Sequence, residues 1–166
     1  MYKVAYHPIY HHKVPLGHRF PMEKYDLLPL ELLQTGIIKP EQLFEPGVVS
    51  EEAILYTHCP IYWEKLKNQS LSKAEIRKTG FLLSDELILR ERILTQGTID
   101  AARYALKDQI AFNIAGGTHH AFATSGEGFC LLNDQAIACN YLLTKQQISA
   151  ALIIDLDVHQ GNGTAH

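Results

Sequence analysis

Ala150-Ala-Leu-Ile-Ile-Asp155-Leu-Asp157-Val-His159-Gln-Gly-Asn162-Gly-Thr-Ala-His166 runs an apolar pentapeptide straight into two carboxylates and an imidazole. The apolar run reads as a strand buried on both faces, which is the habit of parallel sheets in α/β domains. Side chains alternate along a strand, so Asp155, Asp157 and His159 fall on one side of it. Two acids and a neutral histidine at a buried strand end are costly without a partner. A divalent metal is the natural one. A catalytic zinc takes three protein ligands plus a water, and the sequence ends seven residues after His159. It therefore offers two ligands and is expected to carry part of a site.

Working back along the chain, Ile110 to Ala115 reads as a second buried strand and ends in Gly116-Gly-Thr-His-His-Ala121. Glycines after a strand let backbone approach closely and permit positive φ. His119 and His120 are suited to proton transfer near neutrality. Taken alone, the cluster reads equally as a polar loop. Gly126-Glu-Gly-Phe-Cys-Leu-Leu-Asn-Asp134 follows, with Phe129 and Cys130 as core or slot lining and Asn133 or Asp134 as the cap of a helix over 131–143. Further back, Tyr2 to Tyr6 and Leu43-Phe44 read as short strands. Met22 to Gln34 is helical but is expected to break at Pro29. Ser50 and Ser72 read as N-caps, with the capping-box spacing Ser72-x-x-Glu75. A long helix is expected from Ser84, with Leu87, Leu94, Thr98, Ala101 and Ala105 on one face. Strands alternating with helices predict an α/β domain, a mainly parallel sheet with helices on both faces. In such sheets, sites form at the carboxyl ends of strands, where both polar clusters fall.

Bulk properties exclude more than they assign. A net charge of −3 gives no footprint for nucleic acid. No apolar run approaches membrane-spanning length, and no signal-peptide core opens the chain. Three cysteines, an odd number without a C-x-x-C pair, fit a reducing compartment. These features predict a soluble cytoplasmic protein. His7, His11, His12, His18 and His58 read as structural. Gly161-Asn-Gly163 lacks the phosphate-loop pattern and is not read as a nucleotide site.

The ordered segments GGTHHAF, GEGFCLLND and LIIDLDVHQGNGT, with the amino-terminal HRFPMEKYDLL, resemble the histone deacetylase family and its bacterial relatives. The resemblance covers essentially all 166 residues and is specific for the superfamily but weak on substrate. It implies the arginase/deacetylase three-layer fold, with residues 1–166 as the amino-terminal part of one catalytic domain. It implies a zinc-dependent deacetylase acting on acetyl-lysine in proteins or on acetylated small amines. By the same resemblance Asp157 and His159 match two zinc ligands, and His119 and His120 match the paired active-site histidines, His120 being the general base. Asp155 orients His119 and sits by a structural potassium or sodium site. Asn162 stands behind His120, where many members have Asp. Gly128, Phe129 and Cys130 match the wall and foot of the acyl tunnel. The third zinc ligand, an Asp, and an oxyanion-binding Tyr lie beyond residue 166. The competing expectation is a truncated, non-catalytic domain without tight zinc that forms homo-oligomers through an exposed sheet edge.

Overall fold

The computed structural model describes all 166 residues. A three-stranded parallel sheet in the order β2-β1-β3 is formed by β1 (Lys3–Ala5), β2 (Leu43–Phe44) and β3 (Ala111–Asn113). Helix α1 (Lys24–Gln34), α2 (Glu51–Leu55), α3 (Pro60–Lys67) and α4 (Lys73–Thr79) come before the long α5 (Asp85–Asp108). After β3 come α6 (Asp134–Thr144) and the single turn α7 (Asn162–Ala165). The α/β class and parallel pairing agree with the sequence expectation.

Local chemistry explains the helix boundaries. Ser50, Ser72 and Ser84 each accept a backbone N–H with the side chain, and Ser72 and Glu75 close a capping box. Pro29 does not break α1, contrary to expectation: one helix passes through it. The ring is buried, and burying it offsets the single hydrogen bond it removes. Helix α5 packs on β1, β3 and α6, with Leu87, Leu94 and Ala101 buried along one face and Ile99 buried on another. Gly97 in its middle costs about 1 kcal/mol of helix propensity. A Cβ there would lie 2.5 Å from the Tyr10 hydroxyl and 2.9 Å from Asn113 Nδ2, so only glycine lets α5 seat this closely.

Two strand expectations need correction. Segment 110–115 is only partly buried: Ile110 and Phe112 are 50% and 46% exposed while Ala115 joins the core, and β3 is a sheet edge with β1 as its single neighbour. Segment 150–156 is not a strand: it joins no ladder, and Leu152 and Leu156 are 84% and 91% exposed. An apolar run needs a hydrogen-bonding neighbour and a covering layer to become a buried strand, and this one has neither. No helix is long and apolar enough to cross a membrane.

Four of the five structural histidines have hydrogen-bond partners, and His12 is buried with its Nδ1 unpaired. His7 Nδ1 accepts the Ile9 N–H at 3.1 Å, His11 contacts Asp26, and His18 contacts the Gly80 carbonyl at 2.9 Å. His58 Nε2 accepts the N–H of Asn133 at 3.0 Å, and burial pushes its pKa down to about 4. Burial does the same to His12. An unfolded histidine takes up its proton near pH 6.5. Between there and pH 4 the unfolded chain therefore binds more protons, and stability falls as pH falls. The expected loss is roughly 3 kcal/mol for His58 alone. Urea unfolding midpoints at pH 7 and pH 4.5 check it, and equal midpoints would contradict the buried neutral state.

Candidate active site

The site is built around a loop that a buried carboxylate holds in place. Asp134, at the start of α6, accepts four hydrogen bonds. They come from the Thr98 hydroxyl at 2.6 Å, the Thr118 hydroxyl at 2.6 Å, Thr118 N–H at 2.9 Å and Gly117 N–H at 3.3 Å. Thr98 in turn accepts from Asn113 Nδ2 at 2.9 Å, and the Tyr10 hydroxyl donates to Asn113 Oδ1 at 2.9 Å. A polar chain thus runs from β3 across α5 to the start of α6 and fixes residues 116–118. Gly116 has φ +108°, and a Cβ there would lie 2.5 Å from Asp134 Oδ2. Sequence reading treated Asp134 as a candidate cap only. The cap is Asn133, whose side chain accepts from Ala136 N–H at 3.0 Å and donates to the Ala121 carbonyl at 3.1 Å. Asp134→Ala leaves three buried or half-buried donors, the Thr98 hydroxyl and the Thr118 and Gly117 N–H groups, without this acceptor, while the Thr118 hydroxyl keeps the Leu132 carbonyl. The expected cost is about 3 kcal/mol or more. A change below about 1 kcal/mol in urea unfolding would remove Asp134 from this role.

The loop delivers His119 and His120 beside the carboxy-terminal segment. His119 Nδ1 lies 2.6 Å from Asp155 Oδ2, and His120 Nδ1 lies 2.6 Å from Asn162 Oδ1. The N–H groups of Gly163 and Thr164, at the start of α7, donate to the His119 carbonyl at 2.9 and 3.1 Å. A Cβ on Gly163 would lie 2.5 Å from the Ala121 carbonyl oxygen, and one on Gly161 would lie 2.5 Å from Asp155 Oδ2. The glycines of Gly161-Asn-Gly163 therefore serve close backbone contact. So the two polar clusters meet, although the second is not carried by a strand.

Asp157 and His159 complete the same wall. Asp157 Oδ1 accepts the His159 N–H at 2.7 Å and lies 2.9 Å from His159 Nδ1; it is 3.9 Å from His119 Nε2. The backbone N–H and ring of His159 hold the Asp157 carboxyl below its usual range. The His119 hydrogen bond, then the Asp157 N–H, does the same for Asp155. His119, His120, Gly128, Phe129, Cys130, Asp157 and His159 share one cavity of about 530 Å³. Phe20 before α1, Lys24 and Tyr25 in α1, and Arg90 in α5 line it too, none of them expected from sequence to belong to a site.

Gly128, Phe129 and Cys130 sit on a tight turn. Cys130 N–H donates to the Glu127 carbonyl at 2.9 Å, and Gly128 and Phe129 between them have φ +56° and +66°. A positive φ at Phe129 is strained, and the end of α4 holds it: Gly128 and Phe129 donate to the Lys78 and Thr79 carbonyls at 2.9 and 2.8 Å. The Phe129 ring packs against Phe20, Phe81 and His18. Cys130 is buried, and burial pushes its thiol up to about 12, so it stays a neutral lining group.

Residues 18–166 match the histone deacetylase domain. The chain belongs to the histone deacetylase family. It is 42% identical over 164 residues to an uncharacterized protein of Picosynechococcus sp. (99% of this chain, 55% of that one). It is 33% identical over 153 residues to Histone deacetylase 2 of Arabidopsis thaliana (88% and 39%). The crystal structure of an HDAC homologue complexed with SAHA superposes with a TM-score of 0.81 at 27% identity, over 98% of this chain and 46% of that one. The chain thus spans about half the length of the relatives it matches.

An HDAC-family site raises the question of a metal. Asp157 and His159 suit zinc by chemistry, one carboxylate and one imidazole, and both are largely free of packing. Their number falls one short of a catalytic set: no group of three or more His, Cys, Asp or Glu in the chain could hold a metal.

Proposed function

We propose that this family member is the amino-terminal part of a zinc-dependent deacetylase that hydrolyses an acetylated amine. The observation that supports it best is one cavity shared by a partnered histidine pair and the solvent-exposed Asp157 and His159. Asp157 and His159 would hold the zinc, with a third ligand and an oxyanion-binding Tyr supplied from outside these residues. When bound, zinc supplies Lewis-acid polarisation of the amide carbonyl and a water of pKa about 7.

The chain's own residues do the rest. His120 takes the proton of the attacking water at Nε2, because its Nδ1 is engaged by Asn162. Asp155 orients the His119 ring beside it, and a protonated imidazole gives its proton to the departing amine. Phe129 and Gly128 wall the acyl group, and Cys130 closes the cavity as a neutral thiol. Acetyl-lysine in proteins and acetylated small amines both fit this chemistry, since rim contacts decide between them. Acetate release by the full-length protein from both substrate classes tests the reading; no release from either, with zinc present, would sink it.

A second reading is favoured by the exposed Leu152, Ile154, Leu156 and Val158. Apolar side chains this exposed promote association. On this reading the 166-residue chain by itself is non-catalytic and self-associates. Sedimentation at increasing concentration decides it, a constant monomer mass being the contrary result.

A further inference from the structure

Glu127 lies in GEGFC, directly before Gly128, Phe129 and Cys130. Its Oε1 accepts a hydrogen bond from Asn162 Nδ2 at 2.7 Å. That contact settles a question geometry alone leaves open, which end of the Asn162 amide faces His120. A carboxylate is acceptor-only, so the amide nitrogen must face Glu127 and the oxygen must face away from it. The Gly163 N–H agrees independently, donating to Asn162 Oδ1 at 3.1 Å. The oxygen turned toward His120 can only accept, so the ring nitrogen 2.6 Å away, Nδ1, must carry the hydrogen. In the neutral ring Nε2 is then the bare nitrogen.

We infer that Glu127 is a positioning residue that selects the Nδ1–H tautomer of His120 by fixing the orientation of the Asn162 amide. The inference rests on the reading of His120 as the proton acceptor for its catalytic consequence, but the tautomer itself does not. The turn that carries Glu127 gives the relay its rigidity: the Glu127 carbonyl accepts from Cys130, and the two residues between them are tied to the end of α4. The positioning needs an acceptor at residue 127, and needs no charge there. A donor at that position would attract the Asn162 oxygen, turn the amide nitrogen toward His120 and favour the opposite tautomer.

The test uses three substitutions in the full-length protein: Glu127→Gln, Glu127→Ala and Glu127→Lys. Glu127→Gln keeps an acceptor and is expected to hold kcat within about threefold, as for a retained hydrogen bond. Glu127→Lys is expected to lower kcat about tenfold or more, with KM and zinc content unchanged, as for a general base in the wrong tautomer. Glu127→Ala is expected to fall between them. The ¹⁵N chemical shifts of the His120 ring report the tautomer directly: Nδ1–H in wild type and Glu127→Gln, and a shift toward Nε2–H in Glu127→Lys. Glu127→Gln as impaired as Glu127→Lys, or an Nδ1–H ring persisting in Glu127→Lys, overturns the proposal. A wild-type protein that hydrolyses no acylated amine overturns the deacetylase reading instead, and the ring shifts still decide the role of Glu127.

Discussion

Asp157→Ala and His159→Ala in the full-length protein are each expected to remove zinc and activity together. Each takes away a donor that the fold does not otherwise need: the Asp157 side chain is 49% exposed and that of His159 72%. Stability should therefore change little, while the loss of metal costs several kcal/mol of transition-state stabilisation, a factor on the order of 1,000 in rate. Metal analysis of the purified variants, beside acetate release, separates the two effects. The 166-residue chain by itself should bind zinc weakly by calorimetric titration, since two donors do not make a catalytic set. Tight stoichiometric binding to that chain would mean a ligand set other than the one proposed, unless a second copy supplies the missing donor. Unchanged zinc content in either variant would move the metal elsewhere.

His120→Ala should behave differently. On the proposed reading it removes the base without removing a ligand, so kcat should fall on the order of 100-fold or more while zinc stays bound. His119→Ala should also slow the reaction, through lost orientation of the pair on Asp155. The comparison of kcat with metal content is the discriminating measurement. A His120→Ala protein with full activity and full zinc would show that this histidine does not take the proton.

Much of the local structure can be read from residue types alone. Ser72-Lys-Ala-Glu75 fixes one helix start because its two side chains satisfy two orphan N–H groups, a short-range matter. The convergence of the candidate site residues was legible because they cluster at segment ends: the loop and carboxy-terminal segment bring His119 and His120 to Asp155, Asp157, His159 and Asn162. What could not be read is what depends on distant partners. An apolar run such as Ala150–Ile154 says that burial is wanted, not that a neighbour is present to provide it. Asp134 looked like a cap because its four donors come from Thr98, Gly117 and Thr118, which no sequence spacing links to it. Glu127 was hidden for the same reason, since its partner lies 35 residues away. Pro29 stays within a helix because its ring is buried in the tertiary structure, which helix propensity does not register.

The most direct test is zinc content and acetate release measured on one preparation of the full-length protein, before and after chelation and after zinc is restored. One zinc per chain, acetate release lost on chelation and regained with zinc, is the expected result. Acetate release that survives complete removal of the metal would contradict a hydrolysis built on Asp157 and His159.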